Sequence, residues 1–191
     1  MPLWMMSALM LLISALFGTV RKCLESRGLT KAGLLVFLCA ILLVSREDLV
    51  FIPELTLNPG AILCFVAACV LLVRSRLAVG SALTAAAFSA LLAVFITAVS
   101  NRLSPDAAVL LSAVVSVPAF LYFKGYVPVF FICSLAPVFS AVLQMLIAHH
   151  TLNYAFFELD SRSLDLQLTG ILFNTFIIEL LGKRKMLSAQ G

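Results

Sequence analysis

Seven stretches of 17 to 24 residues, each mainly apolar and unbroken by alternation, follow one another through this chain of 191 residues. In hydrocarbon a backbone must satisfy its own polar groups, so only helices and closed barrels cross it, and a helix needs roughly 20 apolar residues for about 30 Å. Barrel strands alternate apolar and polar residues over about ten positions, and these runs do not. Taken from charge to charge they cover 3–20, 28–45, 57–73, 77–100, 107–123, 126–148 and 166–182. Composition points the same way: 63% of residues are hydrophobic and 12% charged, against about 45–50% and 25% in soluble domains. The mean hydropathy is +1.14. So few charges cannot give a soluble surface of this size its polar cover, which excludes a soluble enzyme. The expected fold is all-α, a polytopic membrane helix bundle of about seven transmembrane helices forming a single domain over 1–191.

Lysine and arginine set the expected orientation, because cytoplasmic loops are enriched in them. Arg21 and Lys22 follow the first run, with no basic residue ahead of it. That is the flank of a signal anchor with its N-terminus outside, and a cleaved signal peptide would instead carry a positive leading segment. Alternating from there places Arg21, Lys22, Arg27, Lys31, Arg74, Arg76, Lys124, Lys183, Arg184 and Lys185 inside and only Arg46, Arg102 and Arg162 outside. This predicts an outside N-terminus, a cytoplasmic C-terminus and no soluble domain between the runs. The longest outer loops are expected at about 46–56 and 149–165, and the apolar Leu49-Val50-Phe51-Ile52-Pro53 is expected on the membrane surface. Glu47, Asp48, Glu54, Asp106, Glu158, Asp160 and Asp165 also fall outside. They are read as ordinary solvation of that face, with a cation-attracting vestibule as the alternative.

Within the runs, small residues crowd 80–100, where Ser81, Ala85, Ser89 and Ala93 share a face at helical spacing. Small residues let helices approach closely in lipid, so this helix is expected at the bundle centre. Pro118, Pro128 and Pro137 each remove a backbone hydrogen bond and mark candidate breaks of the kind that build transport sites. Asn58-Pro59-Gly60 reads as a turn or helix start, with proline tolerated in the first helical turn.

Chemical candidates are sparse. His149 and His150 are adjacent, hence about 100° apart on a helix; only with Glu158, Asp160 or Asp165 is a metal site conceivable. Glu179 is the one carboxylate inside an expected span and therefore a functional candidate, although Lys183 four residues on offers an ion pair. Asn174 and Gln144 are expected to bond across helices. Zinc, nucleophile-elbow and phosphate-loop patterns are absent, so no catalytic residue, cofactor or metal is assigned. Of the five cysteines none falls in an expected outer loop, which implies no disulfide framework.

Asp165-Leu166-Gln167-Leu168-Thr169-Gly170-Ile171-Leu172 is similar to the closing segment of a prokaryotic multi-pass membrane family catalogued as domain of unknown function 1614. The family segment has the form Asp-Gly-x-Phe-Leu-Thr-Gly-Ile-Leu. The similarity extends back to Asn58-Pro59-Gly60-Ala61. Here Leu166 stands where the family has glycine, and the glycine-rich turn before it is missing. The resemblance implies a prokaryotic plasma-membrane protein and carries no activity. The functional expectation is a non-enzymatic membrane protein acting through a membrane-protein partner or a second copy, with no nucleic acid. The alternative is a small-solute or ion permease with its site near the fifth and sixth runs.

Overall fold

The computed structural model describes residues 3–16, 31–75, 79–100 and 126–188. Six helices and three strands lie in them: α1 (Leu3–Leu16), α2 (Lys31–Val44), β1 (Leu49–Ile52), β2 (Leu55–Leu57), α3 (Pro59–Ser75), α4 (Val79–Ser100), α5 (Tyr126–Leu152), β3 (Phe157–Leu159) and α6 (Ser161–Ser188). The all-α, seven-span expectation is therefore corrected in two respects. A mixed three-stranded sheet is present, in the order β1-β2-β3. Among the described residues one helix, Phe130–Leu152, is long and apolar enough to cross a bilayer. Helices and apolar runs differ in extent: α5 and α6, at 27 and 28 residues, exceed the runs that located them, whereas the described part of α2 is shorter than its run. At 14 residues each, α1 and α2 span only about 21 Å, and the apolar continuation after α2 goes into strands. The expected span 107–123 lies outside the described residues, as do Pro118, Cys23 and the basic residues Arg21, Lys22, Arg27 and Lys124.

Helix α5 is the hub. It packs against α3, α4, α6 and β3, and every residue from Phe131 to Ala136 is buried, so this stretch is covered all round, as an interior helix should be. Among the described residues the small-residue helix α4 lies chiefly against α5 rather than at the centre, burying Ala85, Ala86, Ser89 and Ala90 where small side chains let the two backbones close. Helix α1 buries Trp4, Ser7, Ala8, Leu11 and Ala15, a stripe at three- and four-residue spacing, toward α2 and α6. On α3 the corresponding stripe is Ala61, Cys64 and Ala68. An edge-to-face pair, Phe37 with Phe130 at 5.9 Å and 66°, ties α2 to α5.

One end of the bundle carries the sheet. The strands β1 and β2 form an antiparallel hairpin pairing Leu49 with Leu57 and Val50 with Thr56, with a register shift between Val50 and Ile52. Strand β2 runs parallel to β3, pairing Leu55 with Phe157 and Leu57 with Leu159. The two long loops at 46–56 and 149–165, a hundred residues apart in sequence, thus form one structure. Around it α1, α3 and α6 begin, while α2 and α5 finish.

Candidate functional site

The residues with chemical potential gather at this sheet end, and the local sequence shows why. The first four N–H groups of any helix lack a partner within it, and here three helix starts lie together. Asn58 caps α3: its Oδ1 accepts from Gly60 N at 2.9 Å and Ala61 N at 3.3 Å. Pro59 occupies the first helical position, where its missing N–H costs nothing. Asp160 caps α6 by accepting from Ser163 N at 3.0 Å and Ser163 Oγ at 3.2 Å. Asp165, one turn further along α6, reaches across to α1, where Trp4 N donates to its Oδ1. Asp48 then accepts from Asn58 Nδ2 at 2.8 Å. Negative side chains at helix N-termini also oppose the positive ends of the helix dipoles.

Three of the acids expected merely to solvate the outer face are thus structural. Two backbone bonds complete the knot: Asn58 N donates to Leu159 O at 2.6 Å, extending the sheet into the cap, and Phe157 N to Glu54 O at 2.7 Å. A further link, Ser7 Oγ to Thr169 Oγ1 at 3.0 Å, fastens α1 along α6. Capping side chains so placed were missed in sequence because acids and amides beside apolar runs look alike whether they cap a helix or face water. The Asp160-x-x-Ser163 spacing was the available signal.

Asp165 is half-buried, and desolvation, opposed by the Trp4 N–H and aided by the nearby Asp160 charge, pushes its carboxyl up to about 6 from an ordinary 3.8. The folded protein therefore holds this proton at pH values where the unfolded chain releases it. The contribution to stability is full below about pH 4 and is lost as pH rises through 6. A protonated carboxyl still offers Trp4 N its carbonyl oxygen, so the cap survives. The expected outcome for protein in detergent is a higher thermal midpoint at pH 5 than at pH 7.5. Asp165→Asn, which keeps an acceptor and cannot ionise, should flatten that difference.

Deeper along α6 a second polar group is enclosed. Gln167, Asn174 and Ser134 are completely buried. Gln167 Nε2 donates to Ser134 O at 2.8 Å on α5 and lies 3.5 Å from Ala61 O on α3. Asn174 Nδ2 donates to Gly170 O at 2.8 Å in its own helix and lies 3.7 Å from Cys133 Sγ. Each amide must face its nitrogen toward these carbonyls, so its oxygen is turned elsewhere. Gln167 Oε1, Asn174 Oδ1 and Ser134 Oγ consequently have no hydrogen-bond partner among the described residues. Pro137 stands one turn from this group, inside α5, and removes the N–H that would otherwise reach the Cys133 carbonyl. The segments 58–61 and 165–172 meet here through Ala61 O and Gln167.

The remaining candidates do not join this group. Pro128 falls in the first turn of α5, where proline is accommodated, and so is no break. His149 and His150 are exposed in the last turn of α5, where a positive charge would suit the dipole. Asn153, with φ 51°, follows as a left-handed helix stop. Among the described residues no three His, Cys, Asp or Glu side chains come together as a metal site, so the histidines are not completed by Glu158, Asp160 or Asp165. Glu179 is half-buried on α6, and the side chain of Lys183 lies outside the described residues. Gln144 bonds Ser140 Oγ at 3.3 Å within α5 rather than another helix among the described residues. Cys39, Cys64, Cys69 and Cys133 are free thiols. No known family, curated protein or solved structure matches the chain.

Proposed function

We propose that the protein is integral to a membrane, has no catalytic role and acts through a membrane-protein partner. One observation carries the membrane reading. Each of the six helices turns a large apolar side chain outward: Met10, Val36, Val73, Phe95, Leu146 and Phe176 are all 54% to 81% exposed. Single exposed apolar residues are ordinary on a soluble protein. One or more on every helix, in a chain with 12% charged residues, calls for a hydrocarbon solvent, since leaving each such side chain in water forgoes roughly 1.5–3 kcal/mol. The non-catalytic reading is supported by Asp48, Asp160 and Asp165, which are engaged in holding helix ends.

A photoreactive side chain placed at Val36 or Phe95 in living cells tests the partner clause. A defined protein adduct is the expected result, and adducts with lipid alone would remove it. The second reading, a permease, is favoured by the unpartnered oxygens of Gln167, Asn174 and Ser134 beside Pro137. Proteoliposomes of the purified protein separate the two. No flux of monovalent cations or small polar solutes is expected, and flux abolished by Gln167→Leu would put transport in its place.

A further inference from the structure

The exposed strand β1 has a burial pattern that points to its surroundings. Leu49, Val50, Phe51 and Ile52 are 47%, 66%, 63% and 53% exposed, and successive strand residues point to opposite faces. Both faces of the strand are thus apolar and uncovered. A second copy or a partner lying flat on the sheet would cover one face, and edge-to-edge pairing would cover neither. A surrounding apolar medium covers both.

A second constraint sets the depth. In the order β1-β2-β3 the outer edge of β1 presents N–H and C=O groups with no strand beside them among the described residues, and open sheet edges do not occur in the hydrocarbon core. The flanking Arg46 and Glu47 are exposed and need water or headgroups. Exposed apolar residues precede the strand at Leu43 and Val44, and Tyr154, which bonds Glu54 at the hairpin turn, is 45% exposed, an amphipathic ring suited to the membrane interface. We propose that the β1–β2 hairpin beds into the headgroup–acyl boundary of a lipid bilayer, immersing both faces of the strand while its edge stays within reach of water. This rests on the membrane reading above and adds a location for the sheet.

Phe51→Trp and Phe88→Trp, made separately, test it in phosphatidylcholine vesicles whose acyl chains carry bromine either near the headgroup or near the bilayer centre. Phe88 is 55% exposed near the middle of α4, and the parent's single tryptophan, Trp4, provides the background to subtract. The emission of Phe51→Trp is expected to be quenched about twofold more strongly by shallow than by deep bromines, as befits a group seated about 5–10 Å into the boundary. Phe88→Trp should show the reverse order. If Phe51→Trp is quenched by aqueous acrylamide while Phe88→Trp is quenched by lipid, the hairpin proposal fails and membrane embedding stands. If both meet acrylamide, embedding itself fails. If neither quencher reaches Phe51→Trp, protein covers the strand and the lipid assignment is wrong.

Discussion

Gly60→Ala is expected to cost about 3 kcal/mol or more, at the upper end of what overpacking usually does. A Cβ at Gly60 would sit 1.7 Å from Ser45 Oγ, 2.9 Å from Ser45 Cβ and 3.1 Å from Asn58 Oδ1. Ser45 is buried at the end of α2, its N–H bonded to Ile41 O at 3.0 Å so that the backbone fixes its Cβ, and Asn58 is held by five hydrogen bonds, so neither residue can withdraw cheaply. The cost should vanish when the obstacle is removed. In a Ser45→Gly background, Gly60→Ala is expected to be close to neutral, because alanine is the better helix former by about 1 kcal/mol. Gly80→Ala is the control, since nothing lies within 4 Å of a Cβ there. Thermal midpoints of the four variants in one detergent decide it, and an unchanged cost in the Ser45→Gly background would show that Gly60 is needed for some other reason.

Asn58→Ala has the second large expected effect. It removes the acceptor shared by Gly60 N and Ala61 N and the donor to Asp48 from a side chain with no exposed surface. Loss of a cap costs about 0.5–2 kcal/mol, and buried groups left without partners add about 1–3 kcal/mol. A fall of roughly 10 °C in the thermal midpoint is expected for a chain of this length. The exchange of the pair is more discriminating. Asn58→Asp alone sets two carboxylates together, and Asp48→Asn alone brings two amide groups together without the carboxylate. With both changes, the carboxylate caps α3 and the amide of residue 48 donates to it, so most of the stability should return. Additive losses in the double variant would contradict the bridge.

Both predictions concern a junction that the sequence revealed only in part. Asn58-Pro59-Gly60 was legible as a helix start because each residue has a local reason to be there: a side-chain acceptor, a fixed φ, a missing Cβ. Why the third residue has to be glycine was not legible, since Ser45 approaches from another helix. The strands were hidden for a related reason. Leu49–Ile52 is a four-residue apolar run, too short for periodicity to separate strand from helix, and β3 reaches β2 from a hundred residues away. Apolar runs located most helices but not their ends: α5 and α6 continue past the expected 148 and 182, to Leu152 and Ser188, because Asn153 stops α5 by its left-handed backbone and the polar ends of α6 carry no apolar pattern. At the enclosed polar group, Asn174 was singled out as a deep amide. Gln167 was seen only as part of a resemblance, because the sequence alone does not show which residues of α6 face α3 and α5.

The proposal that the apolar faces of the helices meet lipid is tested most directly by Cys39 on α2. Its side chain is exposed, so in water a charged maleimide would modify it readily. Membranes sonicated open, so that the reagent reaches both sides, are labelled and Cys39 is read by mass spectrometry, with Glu158→Cys, at an exposed position of β3, as the reactive control. The expected result is a labelled control and an unmodified Cys39, which reacts only after solubilisation in a denaturing detergent. Labelling of Cys39 in intact membranes at the rate of the control would contradict the account.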